Sequence, residues 1–299
     1  MSLKTSFSPL GGGPGANSGY TQLADIIKNH PSVVTTAPDY HSIERGWHIY
    51  KITTGLGDTY CYRGAAENYI KFGKLSTTDL IWRIVRVNED NSVRLFLYNF
   101  NSNSTYYFAS TIYNSGTIRS ALDGWFAGTT LPALLADDII VDVPFYWDMD
   151  LTNETSGGQL IFAASFRTYT NDNNLNPILY DASWISKGYA WSVANGKINT
   201  PCGILTADEA VIAGAVPGTT TYNTAIRSIF GGRSAVCPRR RSANNYAGRI
   251  QWIDNSSASI SDSLASSGNP YIVRPVINIT GNVRVDGSGS LSDPYVMLE

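Results

Sequence analysis

The run Ile81-Trp82-Arg83-Ile84-Val85-Arg86-Val87, then Asn88-Glu89-Asp90-Asn91-Ser92, then Val93-Arg94-Leu95-Phe96-Leu97-Tyr98 constrains this chain more than any other stretch. Both flanks are β-branched and aromatic, which suits a pleated surface, and the polar residues between them are turn formers. A hairpin is the expected outcome. Apolar positions alternate with arginines, so one face is expected to point inward and the arginines outward. A hairpin of this kind needs further strands beside it and a layer over its apolar face.

The rest of the sequence supplies both. Residues 47–52 and 59–62 read as a second hairpin around Gly55-Leu56-Gly57-Asp58. Residues 271–279, 283–285 and 294–296 read as closing strands, with Pro275 expected at an edge or bulge because it lacks an N–H. Leu23, Ile26 and Ile27 predict a short amphipathic helix that stops before Pro31. Residues 118–126 and 131–136 predict two more helices. Thr206-Ala207-Asp208-Glu209 is a capping box opening another, with Gly214 placed to end it. Residues 144–200 are aromatic, Asn-rich and irregular, an insert that must be pinned to a core or be functional. Residues 1–18, with Gly11-Gly12-Gly13-Pro14-Gly15, read as a flexible leader.

At 299 residues both one elaborated domain and two smaller ones are open. The elements fit a single α+β domain over residues 19–299, with a twisted, mostly antiparallel sheet, peripheral helices and long ordered loops. Only 15% of residues are charged, so uncharged polar groups and 18 tyrosines must cover the surface. That mixture is the one adaptable binding surfaces use. A net charge of −2 gives no general reason to bind nucleic acid or anionic lipid. No apolar run reaches the length needed to cross a bilayer, so no membrane insertion is expected. Cys61, Cys202 and Cys237 make no metal-binding pair; they suit either a Cys202–Cys237 disulfide or buried free thiols.

Catalytic chemistry has few candidates. His30, His41 and His48 all fall before residue 50, and no Ser-centred or zinc-protease motif is present. Asp137, Asp138, Asp142, Asp148 and Asp150 form the one acidic cluster, which a carbohydrate-active enzyme would need as paired carboxylates. The plainer reading puts them at a solvated helix end and a turn. Asn171-Asp172-Asn173-Asn174-Leu175-Asn176 lacks the Gly and closing Glu of an EF-hand and reads as a polar loop, so no metal and no cofactor is expected. Sequons stand at Asn103, Asn153, Asn255 and Asn278.

The most unusual segment runs from Cys237-Pro238-Arg239-Arg240-Arg241 through Asn244-Asn245-Tyr246 to Arg249-Ile250-Gln251-Trp252-Ile253-Asp254-Asn255. It concentrates the side chains that dominate recognition hot spots. Arg249 and Gln251 alternate with Ile250 and Trp252, as on a strand with one polar and one apolar face. The pattern suits a small exposed binding surface, and equally a basic turn followed by an ordinary strand. Three arginines beside Tyr246 are too short a patch for nucleic acid, because few phosphate contacts release few counterions.

A further set of residues bears on that choice. Tyr60-Cys61-Tyr62-Arg63-Gly64-Ala65-Ala66-Glu67-Asn68-Tyr69-Ile70-Lys71-Phe72-Gly73 followed by residues 82–88 resembles the opening of a domain of bacterial surface proteins. Residues 203–209, residues 273–279 and the closing residues 287–296 continue the likeness over most of residues 40–296. The domain resembles the C-type lectin fold, in the variant of formylglycine-generating-enzyme-like proteins and of the variable proteins of diversity-generating retroelements. In those variable proteins a C-terminal stretch before the last strands is rewritten at adenine-containing codons. The resemblance implies a non-enzymatic binding protein of a virion or cell surface, displaying a variable surface near residues 237–257 to a protein or glycan receptor. Its contact residues would be Arg239, Arg240, Arg241, Asn244, Asn245, Tyr246, Arg249, Gln251, Trp252, Asp254 and Asn255. A structural surface-layer module and the carbohydrate-active enzyme are the alternatives.

Overall fold

The computed structural model describes residues 21–39, 42, 44, 46–54, 57–99, 105–106, 117–146, 197–205, 207–217, 234–239, 249–253, 259–264 and 271–298. The expected leader and most of the insert lie outside them. In chain order come β1 (Thr21–Gln22), α1 (Leu23–Lys28), β2 (Val33–Val34), β3 (Trp47–Thr54), β4 (Gly57–Gly64), β5 (Tyr69–Leu75), β6 (Thr78–Val87), β7 (Val93–Leu97) and β8 (Thr105–Tyr106). Then follow α2 (Thr117–Ala127), α3 (Leu131–Ala136), β9 (Val143–Tyr146), β10 (Lys197–Thr200), α4 (Ala207–Ile212) and β11 (Val216–Pro217). The tail holds β12 (Ser234–Arg239), β13 (Arg249–Ile253), β14 (Ser259–Leu264), β15 (Tyr271–Ile272), β16 (Val276–Ile279), β17 (Arg284–Asp286) and β18 (Tyr295–Met297).

The architecture is mostly β, an open mixed sheet with a few short helices. Its main sheet runs β1-β17-β18-β5-β6-β4-β3-β2, with β7 on the other side of β6 and β16 beyond β7. Pairing is antiparallel except for β18 with β5 and β2 with β3. Both expected hairpins form. In the first, Thr54 pairs with Gly57, so its strands reach further into the turn than the Gly-rich run suggests. In the second, Trp82 pairs with Leu97 and Val87 with Val93, with a bulge at Val85. Asn91 closes that turn with φ of 70°, a left-handed conformation Asn tolerates.

The arginines of this hairpin are not outward. All of β7 is buried, and Arg83 and Arg94 are 4% and 3% exposed. Both faces of β7 are covered, so the period-2 pattern separates apolar from arginine positions and not core from solvent. Pro275 interrupts the expected closing strand: β15 ends at Ile272 and β16 starts at Val276. Proline has no N–H for a ladder, and its carbonyl instead accepts from Leu97 N at 2.9 Å.

Trp82 is the centre of the core, fully buried, with its indole N–H donating to the Phe72 carbonyl at 3.0 Å. It stacks on Phe72 and takes Trp125 of α2 edge-on, which fastens that helix to the sheet. Helix α1 buries Leu23, Ala24 and Ile27. No side chain caps it. The turn between β16 and β17 does that work, with the Val283 and Gly281 carbonyls accepting from Leu23 N and Ala24 N.

The insert leaves and returns at one place. Strands β9 and β10 pair from Val143↔Thr200 to Tyr146↔Lys197, and flanking bridges Ile140↔Ile279 and Gly203↔Val276 tie both ends to β16. Cys61 and Cys202 are buried free thiols, so Cys202 is not joined to Cys237. No described helix is long and apolar enough to cross a membrane.

Candidate functional site

The segment singled out by its Arg, Asn and aromatic content falls on a second sheet, ordered β11-β14-β13-β12-β15-β8. Strands β12 and β13 form an antiparallel pair, Ser234↔Ile253 and Ala235↔Trp252, then Pro238↔Ile250 and Arg239↔Arg249 beyond a register shift. Strand β14 flanks β13 on its other side, with Gln251 opposite Asp262 and Trp252 opposite Ser261. Cys237, Pro238 and Arg239 therefore belong to a strand and not to a basic turn. The register shift beside Pro238 is where a strand tolerates proline.

Of the expected contact residues, Arg239, Arg249, Gln251 and Trp252 lie on these paired strands. Arg249 and Gln251 hold alternate positions of β13, as the sequence pattern requires. Arg240, Arg241, Asn244, Asn245, Tyr246, Asp254 and Asn255 lie outside the described residues. By connectivity, residues 240–248 join two strand ends that stand directly opposite one another. The four expected contact residues that are described, Arg239, Arg249, Gln251 and Trp252, share the β12–β13 pair.

Several buried arginines take partners from distant parts of the chain. Arg274 lies between β15 and β16, where the second sheet joins the first. Its guanidinium donates to the Leu97 and Tyr98 carbonyls and sits 5.3 Å over the Phe96 ring. Burial pulls its pKa down to about 10. Arg63 of β4, with 0% exposure, donates to the carbonyls of Ile212, Asp39 and Ser42 and pairs with Glu44 at 3.3 Å.

Helix α4, which touches β12, is held by Glu209. Glu209 Oε1 lies 2.6 Å from Arg94 Nε and 3.4 Å from Arg86 Nε. Arg86 also pairs with Glu89 and donates to Thr59 Oγ1. Burial works against the Arg86 cation, but Glu209 and Glu89 more than offset it and leave its pKa raised. Glu209 is 3% exposed, and its Oε1 serves both arginines. The helix read from the capping box forms over Ala207–Ile212, while the box's other member, Thr206, lies outside the described residues. Nothing local signals the contact with the arginines, because Arg86 and Arg94 are far away in sequence.

The catalytic alternatives find little in the described structure. Asp137, Asp138 and Asp142 are exposed at and after the end of α3, while Asp148, Asp150 and the loop 171–176 lie outside the described residues. His48 contacts Glu44 at 3.2 Å, His30 accepts from Ser32 N, and His41 lies outside. Among the described residues no group of three His, Cys, Asp or Glu side chains could hold a metal. Asn278, one of the sequon positions, is fully buried and accepts from Asn88 Nδ2; the other sequon asparagines lie outside. Comparison with protein-family models, with curated proteins and with solved structures finds no match to this chain.

Proposed function

We propose that this chain is a non-enzymatic ligand- or receptor-binding protein of a virion or cell surface, in which a C-type-lectin-like scaffold displays a variable surface on the β12–β13 hairpin. One observation carries the reading. Arg239 and Arg249 are cross-strand partners, with Gln251 and Trp252 further along the same strand, and Arg240, Arg241, Asn244, Asn245 and Tyr246 fall between them in sequence. A hairpin connection tolerates sequence change because its ends, not its side chains, are fixed by the ladder. Tyr and Trp add large contact area with little side-chain entropy, and Arg and Asn add hydrogen-bonding reach. The partner is a protein or glycan receptor, and four arginines within residues 239–249 without one acidic residue favour a partner with acidic groups.

The reading is tested on sister copies of the gene. Substitutions confined to asparagine-type codons between residues 237 and 257 are expected. Changes spread evenly over the scaffold strands would overturn it. Replacing Tyr246 and Trp252 by Ala should likewise abolish receptor capture on cells while the melting temperature stays put.

A further inference from the structure

Strand β6 changes partners midway. Its first half pairs with β5 up to Tyr69↔Arg83, and its end pairs with β4 at Cys61↔Arg86 and Tyr60↔Val87. Between these two ladders β6 has lost one partner and not yet met the next. Asn68 fills the gap: Ile84 N donates to the Asn68 carbonyl at 3.0 Å, and Asn68 Nδ2 donates to the Ile84 carbonyl at 2.6 Å. The side-chain amide thus replaces one strand residue. The carbonyl can only accept, so this bond also fixes which end of the amide is nitrogen.

The other end is left over. Asn68 is 1% exposed, and its Oδ1 has no hydrogen-bond partner among the described residues. Asn68 lines a cavity of about 20 Å³ together with Arg83, Tyr62, Val85, Phe96 and Leu205. A water needs roughly 10–15 Å³ of such space and two to four polar neighbours. The cavity has room for a water molecule. It also sits at the bulge, where Val85 is the extra residue of β6.

We propose that this partner change is a built site for a single buried water, which donates to Asn68 Oδ1 and accepts from the Arg83 guanidinium. The water completes the hydrogen bonding that β4 and β5 leave unmade where they part.

A high-resolution crystal structure of the unmodified protein tests this directly. An ordered solvent peak within about 3.2 Å of Asn68 Oδ1 is expected. Density without a peak there overturns the proposal. The variant Val85→Ile tests it in solution by the sign of the change. An added methyl that expels a bonded water strands the amide oxygen, so the melting temperature should fall and the solvent peak should vanish from the variant's density. In a dry void the same methyl would gain contacts, and a rise in melting temperature would sink the idea.

Discussion

Glu209 Oε1 and Arg94 Nε stand 2.6 Å apart in a part of the molecule where both side chains are at most 4% exposed. This contact ties the short helix α4 to the centre of the main sheet, and Arg86 shares the same carboxylate oxygen. A helix of six residues cannot hold itself in water, since nucleation costs more than so few bonds return. Its position rests on the ion pairs and on Ala210 and Ile212 packed beneath it. Because α4 touches β12, these charges also bear on the position of the first strand of the β12–β13 hairpin.

Glu209→Gln keeps the shape and removes the charge that Arg94 and Arg86 share, while Arg86 keeps Glu89. Stripping one partner from a buried pair costs about 3–5 kcal/mol, whereas replacing the pair by apolar residues of like volume is often neutral. The urea midpoint of Glu209→Gln should therefore fall steeply. The double variant Arg94→Met, Glu209→Leu should recover much of the loss. A single variant as stable as the parent would show that the contact contributes nothing.

How much of this was legible in the sequence follows from which forces are local. The β6–β7 hairpin and helices α1 to α3 stood out because period-2 and period-3.6 patterns and turn residues act within a few positions. The burial of Arg83 and Arg94 did not, because a buried arginine is set by its partners: the Gly64 and Ala66 carbonyls for one and Glu209 for the other. The same holds for Asn68, whose role exists only where β6 changes neighbours. In the candidate site the alternation from Arg249 to Ile253 was readable as a strand. The extension of β12 back to Ser234 was not, since Pro238 argues against a strand until a register shift excuses it.

Alkaline pH should loosen the fold. Burial pushes the Cys61 thiol from 9.0 up to about 12, with Arg86 and Thr59 acting the other way, and burial raises Tyr62 and Cys202 as well. Each group stays protonated in the folded state after it has ionised in the unfolded one. The stability it lends is whole below the unfolded pKa and is lost as pH climbs to the folded value. For Cys61 that window runs from about 9 to about 12, a shift worth up to roughly 4 kcal/mol. Urea titrations across this range should show falling midpoints and a shallower fall for Cys61→Ala. Parallel slopes for the two proteins would exclude Cys61 as a contributor.

Gly64 should tolerate no side chain. Its φ is +89°, and a Cβ there would stand 2.2 Å from the Gly46 carbonyl oxygen. The dihedral alone costs an ordinary residue about 1–3 kcal/mol. The clash is with backbone, which cannot swing away as a side chain would. Gly64→Ala should lower the melting temperature more than alanine at Gly124, where nothing stands within 4 Å of the added carbon. Equal losses at both positions would mean that the end of the β3–β4 ladder relaxes freely.

The opposed arginines of β12 and β13 offer a test of the proposed binding surface. Like charges directly opposite on antiparallel strands repel, by an amount comparable to the 0.2–1 kcal/mol that favourable cross-strand pairs gain, roughly. Arg239 and Arg249 occupy such opposed positions, with Arg240 and Arg241 next in the chain. A pair kept for the fold would be missed on removal; a pair kept for an external partner would not. Arg249→Thr is therefore expected to leave the melting temperature unchanged or to raise it slightly. If the two charges face solvent, any gain should shrink as salt is added, because such charges are screened over about 10 Å at 0.1 M ionic strength. If Arg249→Thr instead lowers the melting temperature by as much as a core substitution, the arginines serve the scaffold. The hairpin would then be no surface free to vary.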